Sequence, residues 1–259
     1  LMELDPEFAV IESVPRAWSD HPGGGKEAYT DLAHEAGARG YQVTILLTNG
    51  LLHGGFQSRD RFHFIAHKSD LSLEEPYVLR FPTVRDVISD IADSAVYTGE
   101  AEAVIPNHEV SRPADRYQVV FPEIREGEDW NHAQERLAAR GIDSGRGRFI
   151  CYRMAADLPA QTIADVGALV HPWKDRFLTL REGARLCGYP DTFKFALNTR
   201  GVARAADATQ SVLPTMGSYF GRLFTRSLDN YQSQKGELNV VDWRPICRAP
   251  LRAIRQAWK

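Results

Sequence analysis

Apolar and polar positions fall into blocks whose rhythm changes twice along the 259 residues. Residues 8–12, FAVIE, form a short apolar run closed by an acid, the pattern of a buried parallel strand that leads into a site. The stretch that follows, PRAWSDHPGGGK, is rich in Pro and Gly and is predicted to be a loop. KEAYTDLAHEAGARG then sets Ala28, Leu32, Ala33 and Ala36 at helical spacing, with Gly37 and Gly40 near the stop. Residues 41–47 (YQVTILL) and 61–67 (RFHFIAH) predict two further strands. Strand, helix, strand, loop, strand is a piece of an α/β sheet, and ligands of such sheets lie at the carboxyl ends of the strands. Glu12 ends its strand and so falls at that edge.

Beyond residue 67 the rhythm loosens. Short helices are predicted over 82–91 and 129–141, with polar, irregular text between them and PNHEVSRPAD as the clearest loop. The pattern tightens again from Leu158. It predicts a helix from about Thr179 to Leu186, stopped by Gly188 and Pro190. Residues 209–232 read as a loop and then an amphipathic helix, and RPICRAPLRAIRQAW as a short basic helix broken at Pro250. The expected organisation is therefore an α/β portion over 1–67, a small loop-rich insertion over 68–157, and a return to the α/β domain over 158–259.

Composition narrows the class. There is no run of 18 apolar residues, so a membrane span is not expected, and the first residues lack the basic and apolar regions of a signal peptide. Cys151, Cys187 and Cys247 are widely spaced and form no C-x-x-C, which fits a reduced, cytoplasmic setting. The net charge of −3 divides unevenly: −4 over residues 1–67, −7 over 68–175 and +8 over 176–259. A basic final third suits phosphate-bearing partners, and equally a solvated helical surface.

Several side chains could carry chemistry. Glu12, within VIESVP, places a carboxyl group at a strand end. Gln57, Arg59 and Arg61 spell Q-x-R-x-R, and residues two apart on an extended segment share a face. The triplet alone would also suit a polar strand edge. His63 and His67 share one strand, yet no Cys or carboxylate at ligand spacing completes a metal site, so core or edge histidines are expected. PGGGK lacks the spacing of a phosphate-binding loop.

The stretch 176–193, RFLTLREGARLCGYPDTF, resembles the ninth motif of the cytosine-C5 DNA methyltransferase family, R-x-L-T-x-R-E-x-A-R-L-x-G-[FY]-P-D-x-[FY]. Cys187 is its one departure, where the family most often carries Gln. The resemblance extends to VIESVP, similar to the family's E-N-V motif with Ser13 in place of Asn, and to Q-x-R-x-R. It also covers ATQSVLP, which stands where the tenth motif G-N-[SA]-V-P would be, with Thr209 and Gln210 replacing Gly and Asn. It implies a partial Rossmann-like class I methyltransferase sheet carrying a small inserted target-recognition domain.

The resemblance further implies that Glu12 contacts N3 and the exocyclic amine of a cytosine flipped from duplex DNA, supported by Ser13 and Gln57, and that Arg59 and Arg61 serve the base carbonyl. Gln210, Ser211 and Val212 would line the S-adenosylmethionine pocket. Arg112, Arg116, Arg146 and Arg148, in the recognition region, would meet bases or phosphates. Arg181, Glu182 and Arg185 are expected to be architectural. The F-x-G-x-G loop and the Pro-Cys nucleophile loop, which the family carries ahead of the Glu motif, are not in these residues. An N-terminal segment or partner chain is therefore expected to supply both. The alternatives are a non-catalytic methyltransferase-like subunit, or a related enzyme that acts on tRNA or transfers another one-carbon-type group.

Overall fold

The computed structural model describes residues 4–144, 151–196, 209, 211–228 and 238–258, in two compact units, 1–79 with 214–259 and 80–213. In chain order the first unit contributes strand β1 (Phe8–Ser13), helix α1 (Lys26–Ala38), β2 (Gln42–Asn49) and β3 (Asp60–His67). The second unit holds α2 (Val84–Ile88), α3 (Asp115–Val120), α4 (Trp130–Ala138) and α5 (Leu180–Leu186). The chain re-enters the first unit with α6 (Pro214–Leu228), β4 (Leu238–Asp242) and α7 (Arg244–Trp258).

The first unit is built on a four-stranded sheet of order β1-β3-β2-β4. The strand at residues 8–12, expected to be parallel, pairs antiparallel with β3, with Glu12 opposite His63. The reason is topological. β3 returns directly from β2 and slots between β2 and β1, antiparallel to both, and nothing in the side-chain rhythm distinguishes that pairing from a parallel one. β4 lies parallel to β2. Hence β1, β2 and β4 run one way, and their carboxyl ends share an edge with the start of β3.

Side-chain alternation divides the two faces. Val43, Ile45, Leu47, Phe62, Phe64 and Ala66 pack with Ala33 and Ala36 of α1, and Tyr29 sets its ring edge against Phe62 at 4.6 Å. On the opposite face α6 brings Phe220 to His63 (4.9 Å between rings) and stacks Phe224 on Phe8 (4.4 Å). Pro250, expected to break the last helix, sits inside α7 instead. It is on the exposed side, where the backbone acceptor it leaves free can meet water, while Cys247 and Leu251 are buried on the other.

In the second unit, pairs of two-residue strands (Val96–Tyr97 with Glu109–Val110, Tyr152–Arg153 with Leu169–Val170) tie irregular backbone together. Residues 158–213, expected to rejoin the sheet domain, belong here: Ile163, Val166, Leu169, Leu178 and Leu186 share a core with Val84, Ile88 and Met154. α5 starts at a capping box, Thr179 Oγ1 accepting from the Glu182 N–H (3.1 Å) and Glu182 Oε2 from the Thr179 N–H (2.8 Å). It stops at Gly188, whose φ of 89° suits glycine. Gly183 fills a contact rather than a turn: a Cβ there would lie 2.4 Å from Val166 Cγ2. Gly183→Ala is expected to cost about 1–3 kcal/mol through overpacking, readable as a lowered denaturation midpoint, and Val166→Ala in the same chain should recover part of it.

Candidate functional site

The shared carboxyl edge of β1, β2 and β4 gathers polar side chains. Glu12, one residue from the end of β1, projects on the face opposite α1. Arg61, second in β3, reaches across so that its Nε lies 2.5 Å from Glu12 Oε1, both side chains being less than a fifth exposed. Arg61 Nη1 also donates to the backbone oxygen of Asp60 at 2.7 Å, which fixes the guanidinium in orientation. The carboxylate of Asp60 accepts from Asn49 Nδ2 (2.7 Å) and from Arg248 Nη2 (2.6 Å), and Asn49 also donates to Ser58 Oγ (3.2 Å).

Of the Q-x-R-x-R triplet, the structure brings Arg61 to Glu12. Gln57 and Arg59 are buried one step earlier, and Arg59 stands at an interruption between extended segments, its carbonyl accepting from the Gly50 N–H at 2.9 Å. The even alternation expected over 57–61 is therefore broken at Arg59. The extent of the polar network escaped sequence reasoning. Asp60 reads as a spacer within the triplet, and Arg248 lies 188 residues away in a stretch legible only as a basic helix.

Beneath this edge the histidines belong to the core. Burial holds His63 neutral, pushing its pKa down to about 3, and His53 down to about 4 with Arg222 adding repulsion. His53 Nε2 lies 2.7 Å from Thr48 Oγ1 and its ring packs on Tyr219. His67 contacts Thr44 Oγ1 and the Ser69 carbonyl. Among the described residues no group of three His, Cys, Asp or Glu could hold a metal ion.

In the second unit the 176–193 stretch is spent on packing. Glu182 is fully buried and receives both terminal nitrogens of Arg176, at 2.7 and 2.8 Å. Burial alone would raise its pKa, but Arg176 and His171 together bring it down to about 2. Arg181, also fully buried, donates Nε to Pro106 O and Nη1 to Pro190 O (both 2.9 Å) and Nη2 to Phe193 O. Arg185 grips Asp191 through two bonds, 2.6 and 2.8 Å, and reaches Asp90 at 2.6 Å. Arg153, which sequence reasoning missed, donates to carbonyls of Ile124, Phe121 and His171.

Of the recognition-region arginines, Arg112 is exposed, paired with Glu100 and laid over the Tyr97 ring at 4.5 Å, and Arg116 lies over Tyr117 at 4.8 Å. Arg146, Arg148 and Gln210 lie outside the described residues. Ser211 Oγ is bonded to Tyr189 Oη, and Val212 is 45% exposed. All three cysteines are buried and outside any disulfide, and burial pushes the Cys151 thiol up to about 11, the opposite of an activated nucleophile.

The family model described as C-5 cytosine-specific DNA methylase matches residues 1–221. Type II methyltransferase M.DdeI of Desulfomicrobium norvegicum is 25% identical over 229 residues, covering 74% of this chain and 55% of that protein. Type II methyltransferase M1.HphI of Haemophilus parahaemolyticus is 28% identical over 193 residues, covering 73% and 49%. The chain thus spans about half the length of these curated relatives. A solved structure, of a prophage-encoded E. coli protein described as a DNA modification methyltransferase, superposes with a TM-score of 0.57 at 20% identity, covering 88% of this chain and 71% of that one. That likeness concerns the fold alone: a Rossmann-like arrangement with a mixed sheet.

Proposed function

The chain belongs to the C-5 cytosine-specific DNA methylase family, and from that premise we propose that it carries the base-handling and target-recognition portion of a DNA (cytosine-5)-methyltransferase. The observation that supports this reading is the Glu12–Arg61 pair at the carboxyl edge of the sheet. The substrate is a cytosine flipped out of duplex DNA. When a thiolate adds to C6, electron density builds on the ring, and a carboxyl group at N3 that shares a proton relieves it. Arg61 engages Oε1 of Glu12 and holds the carboxyl group at this edge. Arg59 and Arg61 serve the base carbonyl, with Gln57 and Ser13 in support.

S-adenosylmethionine is the methyl donor of this reaction class. Gln210, Ser211 and Val212 line its pocket, whereas an F-x-G-x-G loop and a Pro-Cys nucleophile loop are not among these 259 residues. In this reading a further segment or partner chain supplies them. Among the described residues β1 pairs only with β3, so its other edge can accept another strand. Exposed Arg112 and Arg116, with Arg146 and Arg148, contact DNA from the recognition region. The reading places the protein in the cytoplasm, in restriction-modification; no helix among the described residues is long and apolar enough to cross a membrane.

Nucleoside mass spectrometry of DNA and RNA from cells that express the complete enzyme tests this reading. It expects 5-methylcytosine in DNA. Unchanged nucleosides would favour the non-catalytic subunit, and a modified tRNA or a bulkier adduct a related chemistry.

A further inference from the structure

Residues 238–258 lie beyond the family-matched segment, yet they add β4 and α7 to the sheet that bears Glu12. The join is tight. The Trp243 N–H donates to Leu47 O at 2.8 Å, prolonging the β2–β4 ladder, and Trp243, Cys247 and Leu251 are buried at successive turns. That register carries Arg248 to the carboxyl edge, where its Nη2 meets Asp60 Oδ2 at 2.6 Å. The other Asp60 oxygen holds Asn49 at the end of β2, and the Asp60 backbone oxygen holds Arg61 Nη1.

We propose that Arg248 is a positioning residue for the base-binding acid. It fixes Asp60, and Asp60, pinned on its other side by Asn49, fixes the start of β3 from which Arg61 orients Glu12. The inference rests on the base-handling role proposed for Glu12, and extends the machinery into a helix outside the family-matched segment. The chain of contacts is continuous: Arg248 to Asp60 at 2.6 Å, Arg61 to the Asp60 carbonyl at 2.7 Å, and Arg61 to Glu12 at 2.5 Å. Arg248 is 48% exposed. An ion pair that open contributes little to folding stability, so its loss should be felt in orientation rather than in melting.

The test compares wild type, Arg248→Ala, Arg248→Lys and Asp60→Asn in the complete enzyme. Two readouts are taken: steady-state methylation of duplex DNA, and the NMR resonance of the Arg61 Nε–H. With Arg248→Ala, kcat should fall about tenfold to a hundredfold, as expected of a slightly misplaced acid. KM for DNA and Tm should stay put, and the Arg61 Nε–H signal should shift and exchange faster with solvent. Arg248→Lys should restore most of the loss, and Asp60→Asn should reproduce it. An unmoved Arg61 signal, or unchanged kcat in an active enzyme, would overturn the proposal. So would a loss that appears as raised KM with a shallower salt dependence, which marks a phosphate contact instead. If Glu12→Gln is fully active, the base-handling reading fails, while the Arg61 signal still decides whether Arg248 orients its neighbour.

Discussion

Glu12→Gln in the complete enzyme should lower turnover by about 10²- to 10⁴-fold, the range for removal of a proton-handling group, while DNA affinity stays within a few-fold of wild type. Gln keeps the length of the side chain and one oxygen for Arg61, so the edge should retain its shape. What it cannot do is share a proton with N3 as charge develops on the ring, which is the one event the proposed role requires. The measurement is single-turnover methylation beside equilibrium binding of the same duplex. Equal loss in rate and affinity would make Glu12 a binding group, and an undiminished rate would remove it from the mechanism. Arg61→Leu makes a useful companion. It leaves Glu12 without its partner on a side chain only about a fifth exposed, so the acid should lose both its orientation and part of its activity.

The second large effect concerns stability. Glu182→Gln should destabilise the fold by about 3–5 kcal/mol, because it leaves the Arg176 guanidinium buried beside a neutral amide. Arg176 has only small exposure and also donates to Ala92 O and Phe177 O, so it has little room to turn toward water. The same pair should write itself into the acid limb of stability. Folding lowers the Glu182 pKa from 4.5 to about 2. The unfolded chain therefore takes up the proton first as pH falls. The contribution is fully present above about pH 4.5 and is lost as pH drops toward 2, in all about 3 kcal/mol. Urea unfolding at several pH values checks this: the wild-type free energy should fall over that window, and the Glu182→Gln curve should be flatter there. Parallel curves would mean that Glu182 is not held ionised by its partners.

The local elements were legible because their signals are local. Helical spacing over 26–38, the Thr-x-x-Glu box ahead of α5 and the Gly-Tyr-Pro stop after it each act through residues within a few positions of one another. The strand segments were legible for the same reason, since apolar density over six to eight residues is read from the segment alone. Where expectation and structure part, the deciding partner is remote. The direction of β1 depends on which strand lies beside it. Pro250 is tolerated because α7 buries its other side. The 158–213 segment joins the second unit because Val166 and Leu186 find Val84 and Ile88 about eighty to a hundred positions earlier.

The same division runs through the candidate site. The sequence by itself determined the family, through the 176–193 motif, and it singled out Glu12 and Arg61 as residues whose types suit a protonatable ring. It also showed that none of the three cysteines stands in a Pro-Cys context. Only the tertiary structure decided that Arg61 is the member of the triplet that meets Glu12, that Arg59 sits at a break in the strand, and that Asp60 links the edge to Arg248. The physical reason is that side-chain identity sets what a group can do, whereas which groups meet is set by sheet order and helix register. Those are fixed by contacts between residues far apart in the chain, 188 positions in the case of Asp60 and Arg248.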